Sequence, residues 1–138
     1  MRRPELFGAC VVAVPKLDLL RFPRFTGGSY SIPELGDPED EGDYRVLASY
    51  SPYHNVDAET AYPPVLVLVG ERDATSPPLH GYKFIARVQS EGARAAPALL
   101  KVMWGAGHDF GTEPAEVAAN WADAWAFVIA ALRLEGGD

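Results

Sequence analysis

An aspartate and a histidine, each just past an apolar run, are the residues of this chain best placed to do chemistry. Asp73 ends Val67-Leu68-Val69-Gly70-Glu71-Arg72-Asp73, and His108 stands in Trp104-Gly105-Ala106-Gly107-His108-Asp109. A serine hydroxyl is a weak nucleophile at neutral pH. It needs an imidazole to take its proton, and the imidazole needs a carboxylate to fix its tautomer and stabilise its protonated form. Asp73 and His108 are of those two types. Both fall at the carboxyl ends of strand-like runs, the edge where open α/β sheets bind ligands. Taken singly, Asp73 could be a turn former before Pro77-Pro78, and His108 a turn histidine. Together, and in this order, they favour the triad reading.

The nucleophile is absent. A nucleophile elbow needs Gly-x-Ser-x-Gly between a strand and a helix. Gly27-Gly28-Ser29-Tyr30-Ser31 has serine at its last position, is followed closely by Pro33 and has no apolar strand before it. Ser29 is therefore a decoy, and Ser76, ahead of two prolines, is no better. Cys10 lies in the apolar run Ala9-Cys10-Val11-Val12-Ala13-Val14 and reads as buried core rather than as a reactive thiol. His54 and His80 read as structural. No histidine pair has metal-ligand spacing, so neither metal nor other cofactor is expected.

The elements that would position the pair follow from pattern. Residues 9–14, 64–69 and 99–104 read as strands, continuously apolar as parallel strands covered on both faces are. Residues 78–91 read as a helix, with Leu79, Tyr82, Ile85 and Val88 on one face and Gly92 at its C′ position. Residues 114–134 read as a long amphipathic helix with Val117, Trp121, Trp125, Val128 and Leu132 inward, capped by Thr112 or Glu113. Residues 44–50 form a short helix ended by Ser51-Pro52, a helical turn lies within 17–25, and 26–43 is loop. The sum is an α/β chain of about three parallel strands with flanking helices. An apolar sheet edge would be left open to association.

The 138 residues suit one domain, and 48% are hydrophobic, which excludes disorder as the default. Twelve Lys and Arg against nineteen Asp and Glu give a net charge of -7. That argues against nucleic acid and anionic membrane surfaces as partners. The acid-rich stretch 34–43 reads as a solvated loop. No apolar stretch is expected to approach the roughly 20 residues a membrane span needs. One cysteine allows no internal disulfide, and Met1-Arg2-Arg3-Pro4-Glu5 is not a signal peptide. A cytoplasmic location is the default expectation, unless an N-terminal signal lies ahead of Met1.

Nearly the whole chain resembles one family. The residues that carry the resemblance are Arg3-Pro4-Glu5-Leu6-Phe7-Gly8, Leu17-Asp18-Leu19-Leu20-Arg21-Phe22, Phe25-Thr26 and Tyr50-Ser51-Pro52-Tyr53-His54-Asn55-Val56. Tyr62-Pro63-Pro64, Asp73, Pro78-Leu79-His80, Lys83-Phe84 and Gly105-Ala106-Gly107-His108 complete it. In combination they resemble the C-terminal part of the catalytic domain of prolyl oligopeptidase family serine peptidases. The resemblance implies an α/β-hydrolase sheet, here a C-terminal portion without the nucleophile half and without the family's β-propeller. Residues 1–138 would then be a partial peptidase catalytic domain. It implies that Asp73 and His108 match the triad acid and base. It places the serine elbow about one helix length, roughly 10–15 residues, ahead of the Arg3-Pro4 segment. Met1 is then expected inside the catalytic domain.

Two departures bear on specificity. Thr75 stands where the family has an arginine that binds a substrate carbonyl. Ser31, beside Tyr30, stands where the family has a tryptophan that stacks on the substrate proline. Tyr30, Ser31 and Thr75 are thus the residues near the expected substrate-binding positions. The implied activity is hydrolysis of short peptides through an acyl-enzyme, with this chain alone expected to be inactive. The alternative is a non-catalytic fragment or decayed gene product that binds a partner or has no role.

Overall fold

The structure is a computed structural model that describes residues 2–92, 96–111 and 113–133. Three strands, β1 (Cys10–Ala13), β2 (Val65–Gly70) and β3 (Ala98–Met103), form one sheet in the order β1-β2-β3. Both pairings are parallel, with Cys10 opposite Val65 and Val65 opposite Ala98. β2 is the central strand and is buried throughout. Its β-branched, wholly apolar sequence suits a strand covered on both faces.

The two faces of β2 carry separate cores. Val65, Val67 and Val69 pack with Phe84, Ile85 and Val88 of α3 (Leu79–Glu91). Leu66 and Leu68 pack with Met103, Ala106 and Ala124, the last from α4 (Pro114–Leu132). This alternation is the period-two geometry of a strand read directly from Val-Leu-Val-Leu-Val. A third cluster of Leu19, Phe22 and Leu47 ties the loop after β1 to α2 (Glu41–Tyr50). Asp40 caps α2, its carboxylate accepting the N–H groups of Gly42 and Asp43 at 2.8 and 3.0 Å.

Several expectations are corrected. The stretch 26–43 is not all loop, because it holds a 3₁₀ turn at Gly28–Ser31, a short α1 (Ile32–Leu35) and the start of α2. Pro33 sits in the first turn of α1, where its missing N–H costs no hydrogen bond. On α3 the buried residues are His80, Gly81, Phe84, Ile85 and Val88, whereas Leu79 and Tyr82 are exposed. The face is rotated because Gly81 lies on the sheet, where an added Cβ would stand 2.4 Å from Val69 Cγ1. Gly92 ends α3 with extended backbone, not the left-handed cap. Its lack of a Cβ instead lets it close on the Val88 carbonyl, which a Cβ would meet at 2.6 Å.

On α4 the buried position is Ala124, with Val117, Phe127 and Val128 half-buried, while Trp121, Trp125, Ile129 and Leu132 are exposed. Small residues bring this helix onto the sheet, and the tryptophans face outward. Glu113 is the N-cap without a side-chain cap bond; Thr112 and Leu134 lie outside the described residues. The 19 residues of α4 are long and apolar enough, by length and composition alone, to cross a membrane, contrary to the sequence expectation. Alanine enrichment produces this, and Glu116 and Asp123 interrupt it. Cys10 is half-buried rather than core, because β1 is a sheet edge. Partial burial nevertheless pushes its thiol pKa up.

Candidate active site

The acid and histidine loops leave adjacent strands at the same edge of the sheet. Gly70 ends β2, and the turn after it is bonded to the loop after β3. The N–H of Glu71 donates to the Met103 carbonyl at 3.1 Å and that of Arg72 to the Ala106 carbonyl at 2.9 Å. The Gly105 N–H returns a bond to Glu71 Oε2 at 2.9 Å. Such a close approach demands glycine at position 70, where a Cβ would stand 1.9 Å from the Gly107 carbonyl oxygen. Gly105 serves differently, holding φ at +74°, a region β-carbons disfavour.

These loops bring Asp73 and His108 together, with Asp73 Oδ2 2.9 Å from His108 Nδ1. The other oxygen, Oδ1, accepts the N–H groups of Thr75 and Ser76, each at 2.8 Å. The Asp73 side chain is wholly buried, and that of His108 is 46% exposed. A carboxylate can only accept, so Nδ1 carries the proton in this pair, and Nε2 is the ring nitrogen not engaged by Asp73. The carboxylate is thus held by three donors and the ring is oriented by one of its oxygens. Chemically, the pair is a proton acceptor with a fixed tautomer and a buried counter-charge.

The segment around Tyr30 lies against the acid loop. A Cβ on Gly27 would stand 2.1 Å from the Ala74 carbonyl oxygen and 3.8 Å from Thr75 Cα. Tyr30 is 89% exposed, Thr75 is exposed, and Ser31 is half-buried. Ser29 lies in the 3₁₀ turn at Gly28–Ser31, with no strand leading into it.

A second polar cluster, not anticipated from pattern, lies beneath. Asp18 is fully buried and pairs with Lys83 and with Arg21, the latter at 2.8 Å. Burial opposes its charge, but Lys83, then Arg21 and His54, outweigh this and hold the carboxyl below its usual range. His80 is also buried, and its Nδ1 faces the N–H groups of Leu17 and Asp18 at 3.4 and 3.2 Å. His54 Nδ1 stands 2.8 Å from Ser51 Oγ, and its Nε2 is 3.7 Å from Asp18 Oδ1. This serine–histidine–aspartate string superficially repeats a triad. Ser51 is fully buried and its hydroxyl is bonded to the Leu19 N–H and the Leu17 carbonyl, so the string is structural. An aspartate between Leu17 and Leu19 is the sequence signal, and it is indistinguishable from an exposed loop position.

A parallel sheet with helices on both faces, and an acid and a histidine at its carboxyl edge, define a piece of an α/β-hydrolase. The model of the prolyl oligopeptidase family matches residues 1–135, and the chain belongs to this family of serine peptidases. Prolyl oligopeptidase A of Amanita bisporigera is 35% identical over 99% of this chain. A prolyl endopeptidase of Elizabethkingia miricola is also 35% identical, over 92% of it. Each match spans 18% of the relative's length. Among solved structures, a post-proline cleaving enzyme from Rickettsia typhi superposes with a TM-score of 0.87 at 32% identity. That match covers 96% of this chain and 19% of the enzyme. A structure from a study of two prolyl endopeptidases gives the same TM-score at 39% identity, over 97% and 20% of the respective chains.

Proposed function

We propose that this chain supplies the acid and base of a serine peptidase that cleaves short peptides. His108 Nε2 takes the proton of a serine hydroxyl as that oxygen attacks the scissile carbonyl, and returns it to the departing amine. Asp73 holds the ring and stabilises the imidazolium that forms in between. Water then attacks the acyl-enzyme by the same route. The observation that carries this reading is the 2.9 Å bond from His108 Nδ1 to an aspartate that two backbone N–H groups already hold.

The serine belongs to sequence outside these 138 residues. Among the described residues β1 and β3 each pair only with β2, so a further parallel strand bearing it would pair at one of these two open edges. Alone, the chain has nothing to acylate. A serine-reactive phosphonate is therefore expected to leave this polypeptide unlabelled. The genomic frame upstream of Met1 is expected to encode Gly-x-Ser-x-Gly. The correspondingly extended protein should label at that serine and hydrolyse short peptides, with His108→Ala losing at least about a thousandfold. Full activity in the His108→Ala form of the extended protein would refute the assignment.

A further inference from the structure

The acid loop has a third contact, to a lysine. The chain has three lysines. Lys83 is paired with Asp18 and Lys101 with Asp123. Lys16 has no carboxylate partner among the described residues. Its Nζ lies 3.3 Å from Ser76 Oγ, and the Ser76 N–H is one of the two that hold Asp73 Oδ1. Lys16 follows β1 and Asp73 follows β2, so both stand at the carboxyl edge of the sheet.

Lys16 is half-buried and lines a cleft of about 340 Å³ together with Leu19, Ser31, Glu34, Tyr50 and Pro52. Glu34 is exposed and forms no ion pair with Lys16. One donor of the ammonium faces Ser76, which leaves two for a ligand. A half-buried ammonium with no ion-pair partner among the described residues is a group able to bind an anion. Through Ser76, Lys16 is linked to the carboxylate that pairs with His108.

We propose that this cleft is a substrate subsite in which Lys16 selects a carboxylate on the peptide. The assignment rests on the peptidase reading above, because that reading makes a peptide the occupant. The carboxylate is either the side chain of an aspartate or glutamate or a free C-terminus. Both present two acceptor oxygens to an ammonium. The apolar walls, Leu19 and Pro52, receive the methylenes behind it.

The test is binding to this chain as it stands, followed by NMR at the amides of Ser76 and at the His108 ring. Three probes are compared: an acetylated tetrapeptide amide with one glutamate, its glutamine twin, and the glutamine peptide with a free C-terminus. The glutamate or the free-terminus peptide should bind about tenfold tighter than the neutral twin, the order expected for one charge-assisted hydrogen bond. Whichever gains identifies the carboxylate's source. Lys16→Met should abolish the difference, and Lys16→Glu should reverse it toward a lysine-bearing peptide. Equal affinity for all three probes, a preference that survives Lys16→Met, or no binding of any probe overturns the assignment. Neutral and acidic peptides moving His108 equally would remove Lys16's role and leave the peptidase reading standing. A Lys16-dependent preference without any change at His108 would keep the anion site and count against that reading.

Discussion

At the scale of single residues, the neutral histidine beneath the site governs how the chain responds to acid. His80 is 1% exposed. Burial pushes its imidazole down to about 4, with Lys16 and Lys83 adding to the effect and Asp18 and Asp73 opposing it. Its Nδ1 accepts backbone N–H groups, so a proton there would face two donors. The unfolded chain binds that proton from its ordinary value of 6.5 downward, the folded chain only near 4. Between these values the unfolded state holds more protons, so stability is full above 6.5 and falls as pH drops toward 4. The contribution is about 3 kcal/mol by order of magnitude. His54, whose pKa burial also lowers, acts in the same direction. Urea midpoints should therefore fall between pH 7 and pH 4.5, and His80→Gln should flatten that fall. An unchanged pH slope in the variant would show that His80 is not the group responsible. Pattern alone paired Asp73 with His108, which stand 2.9 Å apart, because glycine-rich turns after strands are visible in a sequence. Lys16 and Asp18 were not visible, because a charge in a loop looks the same whether it meets water or a buried partner.

At the scale of elements, two glycines set how closely the layers and loops approach. Gly81 lets α3 lie on β2, and Gly70 lets the acid and histidine loops touch. Their substitutions should differ in kind. Gly81→Ala presses on Val69 and Val67 side chains, which shift, at a cost of about 1–3 kcal/mol. Gly70→Ala meets a backbone carbonyl at 1.9 Å, which cannot yield without separating the loops. Guanidinium unfolding of both variants measures the first effect. The His108 Nδ1 proton signal measures the second, and it should vanish in Gly70→Ala and persist in Gly81→Ala. Loss of the signal in both would show that the loops depend on the helix layer instead. Strand positions were legible within a residue, since continuous Val and Leu runs bounded by glycine and proline leave little choice. Helix faces were not. The sequence pattern put Trp121 and Trp125 inward, whereas Ala124 lies against the sheet. A period of three or four does not distinguish a large apolar residue that packs from one left outside by a closer small neighbour.

For the molecule as a whole, the exposed surfaces argue that this chain does not remain a dispersed monomer in isolation. Among the described residues β1 and β3 each present an unpaired strand edge. On the outer face of α4, Trp125 is 60% exposed and Ile129 48%, with Leu132 at 42%. Contiguous apolar surface with an open edge beside it drives self-association, and a strand only four residues long limits how far edge pairing can specify a partner. The net charge of -7 opposes this by general repulsion, but salt screens it within about 10 Å at 0.1 M. Association should therefore strengthen with ionic strength, the reverse of what an ion-paired interface would do. Size-exclusion chromatography at tens of micromolar should show species larger than a monomer, growing between low and high salt. Trp125→Glu combined with Ile129→Lys should return the monomer while changing unfolding stability by no more than about 0.5 kcal/mol, because both side chains already face water. A compact monomer of the unmodified chain at every salt concentration would mean that neither the exposed face of α4 nor the open edges of the sheet are adhesive on their own.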